Sequence, residues 1–372
     1  MAGIYIHVPF CKSRCTYCAF YSTTGLEQRQ RYVDAVCREM VMRSQEAEQR
    51  VDTVYVGGGT PSQLTAEQLR QLFSQINKVW GKVLSTSPEI TIEANPDDVT
   101  QEFVRSLRAL PVNRVSMGVQ SFSDERLRFV NRRHTSAQAV AAVEQLREAG
   151  FDNISIDLMY GFPDESFADW LADIDRALSL EPQHISAYCL SYEEGTALQR
   201  WMTDNGKQPM DEEQERQMYY TLIDRLDAAG YEHYEISNFA KPGFRSRHNS
   251  SYWTGVPYVG LGAAAHSFDG RSRSWNVSDI SQYMEGMEQG RRACEEELMD
   301  EETRYNDLIT VALRTREGLC LDQLSESQRE YCLSQASRFV EGGLLCVDGD
   351  RLRLTRNGLF VSDMVMSELM DV

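Results

Sequence analysis

Six short β-rich apolar runs, each followed by a turn and then a helix-like stretch, constrain this chain more than any other feature. The runs are GIYIHV (3–8), DTVYVG (52–57), EITIEA (89–94), NRVSMGV (113–119), NISIDLMYG (153–161) and HISAYCL (184–190). Between them, residues 65–79 open on TAEQ, a capping-box pattern, and residues 135–149 stop at Gly150. Strands alternating with helices predict an α/β fold with a parallel sheet and right-handed crossovers. Six such units suit an open, partial (β/α)6 barrel better than a flat doubly wound sheet. We expect the barrel to occupy residues 1–240, with a further amphipathic helix at 211–230.

Residues 241–300 read as a connecting segment. It is rich in Gly, Ser and aromatics to about 275 and ends in CEEELMDEET (294–303), which reads as a solvated helix face near a domain boundary. From 301 to 372 the pattern changes to helix, short helix and helix, then LLCVDGDRLRLT (344–355), then a last helix. The 344–355 run predicts a hairpin turning at Asp348-Gly349. That order resembles a winged helix, a small C-terminal α+β domain. Asp and Glu outnumber Arg in this tail, so a docking or lid module fits it better than a DNA reader.

The formal net charge is −18, from 38 Lys+Arg against 56 Asp+Glu. That balance argues against sequence-independent nucleic-acid binding, which relies on cations neutralising phosphates. The opening MAGIYIHVPF has no basic n-region, and no run of 18 apolar residues follows. We therefore expect a cytoplasmic chain without stable membrane insertion, whose thiols stay reduced. Nine cysteines, an odd number, then point to metal ligation or burial rather than a disulfide framework. Cys37, Cys189, Cys294, Cys320, Cys332 and Cys346 are scattered and read as core thiols.

Cys11, Cys15 and Cys18 are different: HVPFCKSRCTYC gathers them as C-x3-C-x2-C just after the first strand. Structural zinc takes four ligands in a closed site, and an iron–sulfur cube used only for electron transfer takes four thiolates. Three thiolates leave one iron open to a substrate or cofactor. In a barrel, functional residues sit where strands end. Gly57-Gly58-Gly59-Thr60-Pro61 follows the second strand, and its glycines let backbone N–H groups approach a polar ligand. Glu93 ends the third strand, Gln120 follows the fourth and Asp157 lies in the fifth. Singly, such a carboxylate often caps a helix, and Asp157 between Ile156 and Leu158 needs a partner. Their recurrence at successive strand ends favours one shared site. Arg132, in VNRRH, suits a bidentate contact with a carboxylate.

The cysteine run resembles that of the radical S-adenosylmethionine (SAM) superfamily. Taken with VGGGTPS, IEANPD, SMGVQSF, VNRRH and IDLMYGFP, it resembles the oxygen-independent coproporphyrinogen III oxidase family over roughly residues 4–270. The resemblance implies a 4Fe–4S cluster on Cys11, Cys15 and Cys18. It also implies SAM contacts from Tyr5, Tyr17, Gly58, Gly59, Thr60, Glu93, Gln120, Arg132 and Asp157. Two departures stand out: Phe20 occupies the place of the oxidase's further cysteine, and only ten residues precede Cys11. Both match a branch of that family that serves as a haem chaperone. The branch also carries H-N-x-x-Y-W, present here from His248 to Trp253. The resemblance thus implies haem as cargo, His248 as its axial ligand, and haem-acceptor proteins such as respiratory-chain components as partners; no residue is assigned a catalytic role. Imidazole is a common haem-iron ligand, and aromatics suit a porphyrin face. His7, His233 and His266 are less specific. The alternative is the oxidase reaction itself, radical decarboxylation of propionates to vinyl groups. Radical SAM modification of RNA would need a basic face that the charge does not supply.

Overall fold

The computed structural model describes residues 2–47 and 50–371. Its centre is six parallel strands: β1 (Ala2–Val8), β2 (Val51–Gly58), β3 (Leu84–Ala94), β4 (Arg114–Gln120), β5 (Ile154–Tyr160) and β6 (His184–Cys189). Each pairs in parallel with the next, in chain order. Strict sequential order with right-handed crossovers puts every helix on one face, so the sheet must curl around the other. The outer face is buried under those helices through Ile4, Ile6, Val54, Val56, Ile92, Val115, Met117, Ile156, Leu158 and Ile185. The alternate residues turn inward, as the period of two in a strand requires.

The helices start where short polar residues can cap them. Thr65 and Gln68 form the expected capping box, and helix Ala66–Trp80 buries Leu69, Leu72, Phe73, Ile76 and Trp80 along one face. Helix Ser136–Glu148 begins on the same device at Thr135 and Gln138. The chain leaves it through Gly150, whose φ of +83° is in the region that favours glycine.

Residues 241–300 do more than connect, and here the structure departs from the sequence reading. The sheet has twelve strands in the order β12-β11-β10-β9-β1-β2-β3-β4-β5-β6-β8-β7. Strands β7 (Glu232–Glu235) and β8 (Asn238–Ala240) extend it beyond β6; β9 (Tyr258–Leu261) runs parallel to β1. Strands β10 (His266–Phe268), β11 (Ser272–Asn276) and β12 (Cys294–Leu298) complete the other edge, antiparallel to their neighbours. The run expected as a solvated helix face is therefore split. Cys294–Leu298 is an exposed edge strand, and the helix starts only at Glu301. Charged side chains are tolerated on an edge strand because they discourage further pairing.

The C-terminal part has its own core, built from residues including Ile309, Leu313, Leu319, Cys332, Phe339, Leu352 and Val365. Helices Glu301–Leu313 and Glu326–Glu341 pack on a three-stranded antiparallel sheet of β13 (Leu319–Cys320), β14 (Leu345–Asp348) and β15 (Arg351–Leu354). Helices Arg356–Leu359 and Ser362–Leu369 finish this small α+β domain. The hairpin turns at Gly349, as expected, with Asp348 paired to Arg351. Arg314 to Glu235 at 2.9 Å and Arg245 to Glu317 at 2.8 Å tie this domain to the barrel.

Candidate active site

The inward residues of β1–β6 and the cysteine loop enclose a cavity of about 620 Å³. Tyr5, Cys11, Cys15, Tyr17, Cys18, Gly58, Gly59, Thr60, Glu93, Gln120, Arg132 and Asp157 all line it; His248 does not. Residues up to 152 positions apart in sequence thus meet in one chamber, because sequential parallel strands bring their ends to one rim.

The cysteine loop is pinned from several sides. The Cys11 N–H donates to the Thr23 carbonyl at 2.9 Å, the Thr16 N–H to Val130 at 3.2 Å, and the Asn131 side chain to the Arg14 carbonyl at 2.7 Å. Cys11 Sγ lies 3.4 Å from Thr60 Oγ1, and Arg132 Nη1 donates to Cys15 Sγ at 3.5 Å. Arg132 also donates to Asn95 Oδ1 at 2.7 Å and to the Gly118 carbonyl, so its guanidinium is held in place. All three thiols are free. Burial pushes the Cys11 and Cys18 thiols up, while the Thr60 hydroxyl and the Arg132 charge favour the Cys11 thiolate.

The glycine turn works as a bare cradle. Gly58 has φ +113°, and a Cβ there would lie 2.5 Å from His7 Nδ1; one on Gly59 would lie 2.7 Å from the Pro9 carbonyl carbon. No side chain fits at either position, so backbone stays exposed to the chamber. Glu93 braces the turn, accepting from the Gly58 N–H at 3.0 Å and from the Tyr55 hydroxyl at 2.7 Å.

Two carboxylates face the chamber with raised proton affinity. Burial pushes Glu93 up to about 7, with Asp157 adding to it and Tyr55, Gly58 and Arg114 opposing it. Burial likewise pushes Asp157 up to about 6, opposed by Ser186, Arg114 and Arg132. A carboxyl whose folded-state affinity for protons exceeds its ordinary one stabilises the fold at low pH and loses that contribution as pH rises. For Glu93 the loss runs from its ordinary 4.5 up through about 7. In the metal-free protein, Glu93→Gln should therefore reduce the stability lost between pH 5 and pH 8 by about 2 kcal/mol, read from urea unfolding at both pH values.

His248 lies behind the cavity lining. It is 1% exposed, carried on helix Arg247–Trp253 and packed against Tyr5 and Tyr55, which line the chamber. Its Nδ1 bonds Thr53 Oγ1 at 2.8 Å and its Nε2 bonds the Tyr252 hydroxyl at 2.8 Å, so both ring nitrogens are committed. The ring stacks on Tyr55 at 5.1 Å, and burial pushes its proton affinity down to about 3. The helix is anchored by Glu89, which accepts from the backbone N–H groups of Arg247 and His248, both at 3.0 Å. In this conformation the imidazole is a core residue, and a haem iron reaches it only after the Tyr252 bond parts. Its neighbour Asn249 does line the chamber.

Several chamber residues escape the sequence reading. Asn95 donates to Thr60 Oγ1 at 3.3 Å and accepts from Arg132. Arg114, Ser116 and Gly118 share the inner face of β4 with Gln120. The signal was present as alternation in RVSMGVQ, once the inward register of Gln120 is fixed. Phe20, which replaces a potential ligand, is 73% exposed at the chamber wall.

A partial parallel barrel whose first loop gathers three thiols above a glycine cradle defines a class. Residues 5–177 match the model of the radical SAM superfamily, and residues 299–361 match that of the HemN C-terminal domain. The chain is 35% identical over 374 residues to a Mycobacterium tuberculosis protein named heme chaperone HemW, covering 99% of this chain and 94% of that one. It is 38% identical over 287 residues to the Bacillus subtilis protein of that name, covering 77% and 76%. The chain belongs to the HemW family of radical SAM proteins. In fold it resembles the solved Escherichia coli coproporphyrinogen III oxidase HemN, with a TM-score of 0.85 at 24% identity over 99% of this chain and 90% of that one.

Proposed function

We propose that this chain is a HemW-type haem chaperone. It holds a 4Fe–4S cluster on Cys11, Cys15 and Cys18, binds SAM in the chamber above Glu93 and Asp157, and passes haem to acceptor proteins. The observation that carries the reading is the meeting of three free thiols, the Gly58-Gly59 cradle and two inward carboxylates in one cavity. It is joined by membership of a family whose curated relatives bear the chaperone name.

The donor set fits the cluster. Three soft thiolates supply ligands for an iron–sulfur cube but fall short of the four that a closed zinc site takes. Among the described residues no three His, Cys, Asp or Glu side chains converge as on a single metal ion. When bound, the cluster supplies a low-potential electron and an open iron position for the amino and carboxylate groups of SAM. Arg132 orients the loop through Cys15 and balances the charge of the thiolates. Tyr17 walls the chamber beside them, and Gln120, held at φ +70°, closes its rim. Glu93 and Asp157 accept hydrogen bonds from hydroxyl or ammonium donors. Phe20 presents a ring, not a ligand, at the position that distinguishes this chain from the oxidase pattern, which disfavours propionate decarboxylation. Among the described residues no helix is long and apolar enough to cross a membrane. We place the protein in the cytoplasm, where its thiols remain reduced.

Haem ligation by His248 requires exchange of the Tyr252 hydroxyl for iron. Titration of the reconstituted protein with haem, followed by absorption, tests this. His248→Ala should weaken uptake by about tenfold or more, whereas Tyr252→Phe, which frees Nε2, should preserve or tighten it. Full affinity in His248→Ala would remove that residue from the haem site and turn attention to His266, an exposed imidazole stacked on Trp275 at 5.7 Å.

A further inference from the structure

Arg114 opens β4 at the deep end of the chamber and is 1% exposed, yet its Nε and Nη1 have no hydrogen-bond partner. A buried guanidinium left unpaired is costly, so its charge must be compensated through the cavity. The groups facing it come from every wall. His184 on β6 and His248 on the helix below are both held neutral, burial and the Arg114 charge acting together. Tyr55 on β2 and Tyr234 on β7 keep their protons because burial outweighs that charge. Glu89 on β3 is occupied by the N–H groups of Arg247 and His248. Glu93 on β3 and Asp157 on β5 remain as the groups that change charge near neutral pH; Arg114 favours the ionised form of both, behind the Tyr55 hydroxyl and the Gly58 N–H at Glu93, and behind Ser186 and ahead of Arg132 at Asp157.

We propose that Arg114 is a positioning residue for cofactor binding, its fixed charge at the chamber floor holding Glu93 and Asp157 as the carboxylates that receive SAM. This rests on the SAM-binding reading above. Ribose hydroxyls and an ammonium group need acceptors, and a protonated carboxyl offers a donor where an acceptor is wanted. Arg114 supplies that bias through its charge, with no hydrogen bond from its Nε or Nη1.

The test is SAM affinity of the cluster-loaded protein between pH 6 and pH 9, for wild type, R114K and R114M, with iron content and circular dichroism as controls. Wild-type affinity should fall as pH drops below about 7. In R114M the midpoint should move up by about one unit, so that affinity falls about tenfold at pH 7 and recovers by pH 9. R114K should keep the wild-type midpoint. R114Q is the second neutral variant should R114M not fold. A loss of equal size at pH 7 and pH 9 would assign Arg114 a merely structural role and overturn the proposal. A wild-type affinity that is flat with pH would overturn it without any variant. Cluster-loaded wild type that binds no SAM at any pH would instead sink the SAM reading on which the proposal stands.

Discussion

Cys15→Ser should leave the protein folded but unable to assemble its cluster. Iron after anaerobic reconstitution should fall from about four per chain to less than one, with the visible thiolate-to-iron absorption lost. The reason is the ligand count. Three thiolates are the fewest that hold a cube while leaving one iron open, and the loop itself carries no fourth cysteine; Cys189, from the end of β6, is the one other thiol that lines the chamber among the described residues. Cys15 also accepts from Arg132, which is tied in turn to Asn95 and the Gly118 carbonyl. Its loss therefore loosens the contact between the loop and β4 as well. SAM affinity should drop on the order of a hundredfold with the cluster. Cys37→Ser and Cys294→Ser are the controls: Cys37 lies against Gln71 on the barrel's outer helices, and Cys294 begins the exposed edge strand. Neither should change iron content. Full iron loading in Cys15→Ser would dismiss the three-thiolate site.

The largest effect on stability should come from Glu39→Ala. Glu39, on helix Arg29–Met42, is fully buried and gathers four hydrogen bonds. Its Oε1 accepts from Arg43 at 3.1 Å and Asn276 at 2.8 Å; its Oε2 accepts from the Gly262 N–H at 2.9 Å and the Tyr283 hydroxyl at 2.7 Å. Apart from Arg43, at the end of the same helix, these partners belong to the turn after β9, to β11 and to helix Ile280–Glu288, so one carboxylate fastens the sheet extension to the barrel. Truncation leaves Arg43, itself 3% exposed, with the half-exposed Glu46 as its remaining counter-charge, and leaves the Gly262 N–H unsatisfied. Breaking one side of a buried ion pair costs about 3–5 kcal/mol, more than the pair's net worth. Urea unfolding of the metal-free protein at pH 7 should show a loss of that size, and Glu39→Gln a smaller one. A loss below about 1 kcal/mol would mean that the β9–β12 extension is held by its apolar contacts instead.

The barrel was legible because each of its strands carries its own signal. Ile4 and Ile6, Val54 and Val56, Ile156 and Leu158 are spaced to bury one face, and caps such as Thr65 and Thr135 mark where the helices begin. The site followed from the same register: once Glu93, Gln120 and Asp157 are placed at strand ends, topology alone brings them to one rim. What was not legible depends on distant partners. Tyr258–Leu261 is a strand because it pairs with β1 some 255 residues earlier, and nothing local announces that. CEEEL reads as a helix face until β11 is there to pair with it. The Thr53 and Tyr55 side chains that close on the His248 ring come from β2, and the burial of Arg114 comes from the closed barrel, so neither setting is announced locally. Local composition shows which residues carry chemistry; only the packed sheet shows which of them face the chamber.

The central claim, a radical SAM scaffold used for carrying haem, is tested most directly in one vessel. Cluster-loaded protein with SAM and reductant would be given one equivalent of haem and then an apo-haem protein as acceptor, with coproporphyrinogen III supplied in a parallel sample. The account predicts uptake of one haem per chain, its transfer to the acceptor, and no decarboxylated porphyrinogen. Conversion of coproporphyrinogen III to protoporphyrinogen, with no haem retained, would contradict it and make Phe20 a tolerated change in a working oxidase.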